Sequence, residues 1–279
     1  MLIGCNVSTI GGLVKGIERA SKLGYQCTQI YATNSRTWDV GAPCSDDIQE
    51  YAKSYNITLI GHIPLIVNLA SGNDTVREKS LKRLSQEIIF ANRYGIKTLV
   101  LHPGSTLDGD VNRGINCLIN ALNDVFDICK DYNIMLALET MSGQGTQLGS
   151  KFEELASIIH GVKNHSHIAI CLDTCHLYAA GYQIESRELL YNTLNEFDKK
   201  IGIKKIRAIH LNNTKVELGK KVDRHSSIFD GNIGLETFEA IVCDSRFDQT
   251  PIVLEPSSND MTGAEQVEYL QKVVREKKL

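Results

Sequence analysis

The feature that most constrains the fold of this chain is a regular alternation of short apolar runs and longer amphipathic segments. Eight runs have the composition of strands that are buried on both faces, and they cover residues 2–8, 27–32, 58–63, 98–104, 135–140, 168–174, 206–212 and 251–256. Helical spacing lies between them. In residues 74–94, for example, Leu81, Leu84 and Ile88 recur three or four positions apart, and Asp74 is placed to cap the helix.

Strands that are separated by helices pair in parallel, because a parallel pair needs a long crossover connection. Eight such units follow one another without a linker or a low-complexity tract. They predict an α/β fold, a single (β/α)8 TIM barrel over residues 1–279, which is close to the ~250 residues typical of such barrels. An open, doubly wound sheet is the alternative.

Composition narrows the class of protein only a little. The net charge of −3 gives no support for a nucleic-acid partner, but it does not exclude one, because a basic face can coexist with an acidic back. The chain begins with a strand-like pattern, and no apolar run approaches ~18 residues. Its eight cysteines include no CxxC pair and are expected to be reduced thiols. We expect a cytoplasmic monomer without a membrane partner.

Potential metal ligands end six consecutive predicted strands, from the third to the eighth. They are His62, His102, Glu139, Asp173, His210 and Glu255. The active site of a TIM barrel lies at the C-terminal ends of its strands, so these six side chains should meet there. A single strand-end histidine is more often a hydrogen-bonded core residue. Three carboxylates in one pocket, however, would repel one another strongly unless cations were bound, so the set predicts a metal cluster at this face.

Three more candidate ligands follow in the connecting segments. His176 lies three residues after Asp173, in the first turn after that strand. Asp223 and His225 are two positions apart, so their side chains point the same way in an extended segment. They belong to a loop of roughly 20 residues, and loops of that length are usually functional. Nine imidazole and carboxylate ligands suit two or three ions; zinc is favoured, with Mn²⁺ or iron as alternatives.

Other residues that could bind a metal are not expected to do so. Cys175 lies between Asp173 and His176, and its side chain should point away from theirs. Three histidines precede the sixth strand, which places them at the opposite end of the barrel as surface residues: His160, His165 and His167.

Several segments resemble the signature motifs of the endonuclease IV family of apurinic/apyrimidinic (AP) endonucleases, and the similarity extends from GCNVSTIGGL (4–13) to IVLEP (252–256). The segments are HPGS (102–105), ETMSGQGTQLG (139–149), LDTCHLYAAGY (172–182), HLNNTK (210–215) and VDRHSSIFDGNIG (222–234). The resemblance implies three zinc ions per chain. The first would be held by His62, His102 and Glu139, the second by Glu139, Asp173, His210 and Glu255, and the third by His176, Asp223 and His225.

The resemblance also implies an activity, which is hydrolysis of the phosphodiester 5′ to an abasic site in duplex DNA, leaving a 3′-hydroxyl. A 3′-phosphodiesterase activity is compatible with the same site. Glu139 and Glu255 are the candidate catalytic residues, the first by bridging two ions and the second by orienting the attacking water.

Contacts with DNA are expected from the loops. Arg36 and Thr37 follow the second strand, where family members insert side chains into the duplex, and Leu65 follows the third, where the loop would press on the minor groove. Lys215 and Arg224 give the long loop a positive bias suited to phosphates. An abasic nucleotide lacks base stacking, so its extrusion should be comparatively cheap.

The chain departs from the family pattern twice. Leu65 stands where members usually carry a tyrosine, so an aromatic stacking face is lost. Asn6 replaces a histidine that is common in the first strand, which alters a hydrogen bond near the site rather than a ligand.

Two other functions are compatible with parts of the pattern. A xylose isomerase-like sugar isomerase or epimerase needs one ion, and Glu139, Asp173, His210 and Glu255 would supply its ligands. The other five ligands have little use in such an enzyme. A non-catalytic module that binds damaged DNA or metal is the second alternative, and the presence of all nine ligands counts against it.

Overall fold

Eight parallel strands close into one barrel in this computed structural model, which describes residues 1–129, 131–256 and 260–277. In chain order they are β1 Leu2–Cys5, β2 Cys27–Ile30, β3 Thr58–His62, β4 Thr98–Leu101, β5 Met135–Glu139, β6 Ile168–Asp173, β7 Ile206–His210 and β8 Pro251–Leu254. The barrel is closed by β8 and β1, which pair in register from Leu2 opposite Pro251 to Cys5 opposite Leu254. The predicted TIM barrel is confirmed, and the open sheet is excluded.

Helices fill the connections between the strands and surround the barrel. They are α1 Leu13–Lys22, α2 Ile48–Ser54, α3 Asp74–Arg93, α4 Val111–Ile128, α5 Phe152–Gly161, α6 Thr174–Ala180, α7 Arg187–Lys200, α8 Leu235–Val242 and α9 Asp260–Lys277. Both α6 and α7 lie between β6 and β7. No helix among the residues described is both long and apolar enough to cross a lipid bilayer.

The predicted cap of α3 was one residue too late. Asn73 is the N-cap, and its side chain accepts a hydrogen bond from the backbone N–H of Val76. Asp74 is already the first helical residue, and it pairs with Arg77 in the same turn. Asparagine and aspartate are equally good N-cap residues, so the sequence does not distinguish Asn73 from Asp74 as the cap. At the first helical position the carboxylate of Asp74 still interacts favourably with the helix dipole.

The interior of the barrel is a tight layer of mostly small side chains. It consists of Cys27, Ile60, Val100, Ala137, Ala169, Cys171, Ala208 and Val253, all almost fully buried. Successive residues of a strand point to opposite faces, so the side chain two positions further on points inward as well. Six strands place a predicted ligand at that next inward position, above Ile60, Val100, Ala137, Cys171, Ala208 and Val253. The layer is therefore a dry floor beneath the predicted site.

A second, larger apolar core lies between the strands and the helices. At one point the strands themselves approach so closely that only glycine fits, since a Cβ on Gly4 would lie 1.7 Å from the carbonyl oxygen of Cys27. The eight cysteines all lie among the described residues, and none of them forms a disulfide bond. At the opposite end of the barrel from the predicted site, His160 and His165 are exposed, while His167 is half-buried and hydrogen-bonds the carbonyl oxygen of Ile134.

Candidate metal centre

The nine predicted ligands meet at the C-terminal mouth of the barrel, where they form three groups. Within each group the ligand atoms all lie within 4.8 Å of one another. The groups are His62, His102 and Glu139; then Glu139, Asp173, His210 and Glu255; and then His176, Asp223 and His225. The structure thus brings together the same three sets that the family resemblance implies. That each set binds an ion stays a prediction.

Glu139 lies at the centre of the cluster and is 1% exposed. One of its oxygens, Oε2, is 3.0 Å from Nε2 of His102 and 3.3 Å from Nε2 of His62. The other, Oε1, is 3.0 Å from Nδ1 of His210 and 3.2 Å from Nδ1 of His176. Oε2 therefore faces both imidazoles of the first group, while Oε1 faces His210 of the second, so this carboxylate lies where it would contribute to both groups.

Hydrogen bonds orient the buried imidazoles. His62 places Nδ1 2.7 Å from the next residue's carbonyl oxygen, His210 places Nε2 2.8 Å from Oε1 of Gln29, and His176 places Nδ1 2.9 Å from the carbonyl oxygen of Thr140. A carbonyl oxygen only accepts, so the ring nitrogen beside it carries the proton and donates. The second nitrogen of each ring is then free to bind a metal, as in many metalloproteins.

The third group contains two buried nitrogens that lack a hydrogen-bond partner among the residues described. They are Nε2 of His176 and Nε2 of His225. Both face the same oxygen, Oδ1 of Asp223, at 3.1 and 3.3 Å respectively. Leaving buried polar atoms unsatisfied is costly, and a cation held by these three side chains would satisfy both. The donor set, two imidazoles and a carboxylate, fits zinc.

The ionisation of the cluster reflects its crowded charges. Burial lowers the pKa of His225, but its neighbours Asp223, Cys175, Asp173 and Glu255 together outweigh burial and raise that pKa to about 11. Burial also lowers the pKa of His176, but the three carboxylates of Asp173, Asp223 and Glu139 together hold it well above its ordinary value. Burial raises the pKa of Asp173, whereas the two imidazoles beside Asp223 lower the pKa of its carboxyl group in spite of burial. Such a pocket favours positive charge, the role that bound cations would fill.

Two amide side chains hold the carboxylates of the cluster, and the sequence analysis missed both. Gln29 donates from Nε2 to Oε1 of Glu255 at 2.8 Å. Asn212 donates from Nδ2 to Oδ2 of Asp173 at 2.8 Å and to Oε2 of Glu255 at 3.2 Å. Gln29 is two positions after the inward-facing Cys27, so strand alternation could have placed it at the site. Asn6, where the family commonly has histidine, also donates to Glu255 Oε1, at 3.4 Å.

The expectation that the Cys175 side chain points away from the ligands was wrong, whereas its expected absence from the metal ligands stays a prediction. Its sulfur lies within 4.8 Å of ligand atoms of Asp173 and His225 and contacts the carbonyl oxygen of Arg224 at 3.7 Å. The expectation assumed that strand alternation continues past Asp173. Instead Asp173 is the N-cap of α6, accepting from the backbone N–H of His176, so the following residues have helical geometry.

The five predicted DNA-contacting residues all lie on loops at the same end of the barrel and are exposed. The side chain of Leu65 is 64% exposed, so it is accessible to a binding partner. Lys215 forms an ion pair with Asp230 at 2.5 Å, so a phosphate would compete with this carboxylate for the ammonium group. Contact with DNA stays a prediction for all five.

The closed barrel, with adjoining groups of potential metal ligands at its strand ends, defines a TIM-barrel protein that is equipped to bind metal ions. A family model described as a xylose isomerase-like TIM barrel matches residues 17–276. The chain is 37% identical over 270 residues to "Probable endonuclease 4" of Trichlorobacter lovleyi, covering 95% of this chain and 96% of that protein. Within the xylose isomerase-like barrels, the chain belongs to the endonuclease IV family.

Solved structures agree with this assignment. The crystal structure of endonuclease IV from Thermus thermophilus matches with a TM-score of 0.85 and 25% identity, covering 99% of this chain and 100% of that one. A D-tagatose 3-epimerase-like protein matches with a TM-score of 0.75 and 22% identity over both full chains. The second match shows only the shared fold, so the particular site must decide between the functions that this fold supports.

Proposed function

We propose that this chain is a DNA-repair endonuclease. It hydrolyses the phosphodiester on the 5′ side of an abasic site in duplex DNA and leaves a 3′-hydroxyl. It acts as a cytoplasmic, single-domain monomer over residues 1–279 with three zinc ions, or with Mn²⁺ or iron at some sites. A 3′-phosphodiesterase activity at the same centre is the finer part of the proposal.

The surplus of ligands over a single-metal set carries this proposal. A sugar isomerase of this fold needs only the quartet around His210, yet this chain also buries His62 and His176 beside Glu139. Two imidazole nitrogens of the third group add to the argument, because they face Asp223 without forming a hydrogen bond and a single-metal enzyme would bind no ion there. The endonuclease IV relatives, which match nearly the whole chain, support the same conclusion.

The proposed chemistry divides between the ions and the protein. Closely spaced divalent ions lower the pKa of water, neutralise phosphate oxygens and stabilise the leaving oxygen. Glu139 would link the first two ligand groups, since Oε2 faces His62 and His102 and Oε1 faces His210. Glu255 is held in place by two amides, since Oε1 accepts from Gln29 and Oε2 accepts from Asn212, and we assign it to orienting the attacking water. The floor of small apolar residues beneath them excludes bulk water from this end.

Recognition of the lesion is assigned to the exposed loops around the mouth. Arg36 and Thr37 would enter the duplex, Leu65 would act as an apolar wedge in the minor groove, and Lys215 and Arg224 would bind phosphates. Their contribution to phosphate binding should weaken with salt, because each cation that contacts a phosphate releases a counterion.

The decisive experiment combines metal analysis with an incision assay. The purified protein is analysed for metal content and incubated with a duplex that carries one tetrahydrofuran abasic analogue, before and after chelation and after zinc is restored. We expect close to three metal ions per chain and cleavage 5′ to the lesion that chelation abolishes and zinc restores. An undamaged duplex of the same sequence is the control.

Other results would favour the alternatives. Close to one metal ion per chain, with turnover of a ketose or aldose, would favour a sugar isomerase or epimerase. Tight binding of the abasic duplex without cleavage in any metal would favour a non-catalytic module. A 3′-phosphoglycolate end that is left uncut, while abasic incision proceeds, would remove only the 3′-phosphodiesterase part of the proposal.

A further inference from the structure

Helix α3 contains a fully buried ion pair that the metal centre does not use. Arg83 is 1% exposed and Glu87 is 0% exposed. They are one helical turn apart, with Arg83 Nε 2.8 Å from Oε1 of Glu87. Burying two charges is unfavourable unless excellent geometry and further hydrogen bonds compensate for the lost hydration. The other hydrogen bonds of Arg83 and Glu87 should therefore explain why this pair is buried.

Those contacts all go to one loop, which we call the β2 loop and define as residues 31–40. The guanidinium of Arg83 donates to the carbonyl oxygen of Asn34 at 2.7 Å, to Oγ1 of Thr33 at 2.5 Å and to the carbonyl oxygen of Thr37. The hydroxyl of Thr33 also donates to Oε1 of Glu87. A planar guanidinium with several donors can bind such dispersed acceptors at once, which a lysine cannot do.

The anchored backbone lies on both sides of an exposed arginine. Asn34 and Thr37 bracket Arg36, whose side chain is exposed and whose backbone N–H is held by Oδ1 of Asn34 at 3.0 Å. The buried guanidinium of Arg83 thus fixes the backbone of the β2 loop on both sides of the exposed Arg36. Fixing a loop in its bound shape lowers the entropy that is lost on binding.

We propose that Arg83, oriented by Glu87, is a positioning residue that presents Arg36 and Thr37 to the DNA duplex. This rests on the proposed function, because the duplex is the substrate that the β2 loop would meet. It adds a determinant of substrate affinity that lies outside the metal centre, on a helix packed against the barrel. Arg83 itself is buried and does not touch the substrate.

The test separates substrate affinity from catalysis and from folding. The R83M variant alone would leave the buried carboxylate of Glu87 without a partner, so the R83M/E87M double variant, which removes both charges, keeps the test valid if the single variant fails to fold. The R83K variant keeps the charge but not the planar donors. An exposed arginine on the same helix provides the matched control, R93M.

Four quantities are measured for each folded variant: amide hydrogen exchange of residues 33–38 without DNA, KM and kcat for incision of the tetrahydrofuran duplex, and zinc content. For R83M/E87M we expect faster exchange in the loop and a KM raised by about tenfold, which corresponds to ~1.4 kcal/mol. The kcat and the zinc content stay within twofold of the unaltered protein. The KM and the loop exchange of R83K are expected to lie between those of R83M/E87M and those of the unaltered protein. R93M should behave like the unaltered protein.

Unchanged exchange and unchanged KM in the folded double variant would overturn the proposal, as would a fall in kcat accompanied by loss of zinc. The exchange measurement needs no activity, so it also separates this proposal from the proposed function. Faster loop exchange in the variant, together with no incision by the unaltered protein, would count against the endonuclease and in favour of the anchoring by Arg83.

Discussion

Gln29 and His210 are joined across the barrel, with Oε1 of the glutamine 2.8 Å from Nε2 of the imidazole. The same glutamine donates from Nε2 to Glu255, so one neutral side chain orients two of the predicted ligands of the second ion. Because the amide oxygen only accepts, it holds the proton on Nε2 and directs Nδ1 of His210 toward the carboxylates.

Replacing Gln29 by alanine should therefore weaken metal binding without removing a ligand. The imidazole N–H loses its acceptor and Glu255 loses a donor, and loss of such supporting contacts typically lowers metal affinity by about 10–100-fold. Zinc affinity is measured by competition with a chelating dye. Q49A, at an exposed glutamine of α2, is the control. Equal zinc affinity in Q29A and Q49A would show that the amide does not support the ligands.

Replacing Glu139 by glutamine should abolish incision while the fold is kept. One bridging charge is lost from the centre of the cluster, and an amide cannot offer two negative oxygens to two ions. We expect kcat to fall by at least about 10²–10³-fold, the loss that follows removal of one charge-stabilising group. Circular dichroism checks the fold, and E188Q at an exposed position is the control. Near-normal turnover in E139Q would refute the bridging role.

Replacing Asn213 by alanine should loosen the loop that carries the third set of ligands. The side chain of Asn213 is buried; it donates to the carbonyl oxygen of Ile233 and accepts from its N–H, both at 3.0 Å. Losing them should destabilise the protein by about 1–3 kcal/mol. With Asp223 and His225 less ordered, we expect one zinc ion per chain to be lost. N192A is the exposed control, and an undiminished zinc content in N213A would contradict this role of the loop.

Replacing Leu65 by tyrosine should preserve or strengthen binding to abasic DNA. The side chain is 64% exposed at the mouth, so a larger ring can be accommodated without repacking the core. A tyrosine adds an aromatic face, and base–aromatic stacking of ~1–3 kcal/mol corresponds to an affinity higher by about 5- to 100-fold when the full stack forms. Fluorescence anisotropy with the tetrahydrofuran duplex measures the affinity. A large loss of binding would show that Leu65 is not the wedge.

Chelation should lower the thermal stability of the protein as well as its activity. Four carboxylates meet in the metal centre, and bound cations would offset their mutual repulsion. A cation that binds only the folded state stabilises it by about 2.7 kcal/mol per site when the free cation concentration is 100 times the Kd of that site. We expect the Tm to fall on chelation and to recover when zinc is restored. Differential scanning calorimetry gives both values. A Tm that is independent of chelation, in protein shown to have lost its metal, would contradict a structural contribution of the ions.

The positions of the strand-end ligands could be predicted because a strand has a period of two. Each apolar run places its inward residues on alternate positions, so Glu139 above Ala137 and His210 above Ala208 follow from the chain alone once the barrel is accepted. The same rule failed at Cys175, one residue beyond the point where β6 gives way to α6. Local periodicity is informative only as long as the local structure that produces it continues.

What the sequence by itself determined is the order of elements, the TIM barrel and the types of residue at the strand ends, since these depend on hydrophobic period and local spacing. The tertiary structure alone decided which neutral side chains support the ligands, such as Gln29, and which exposed-looking pair is buried, such as Arg83 and Glu87. The physical reason is that hydrogen bonding and desolvation depend on what surrounds a group in space. Two charges one helical turn apart look the same along the chain whether they face water or a loop from another part of the barrel.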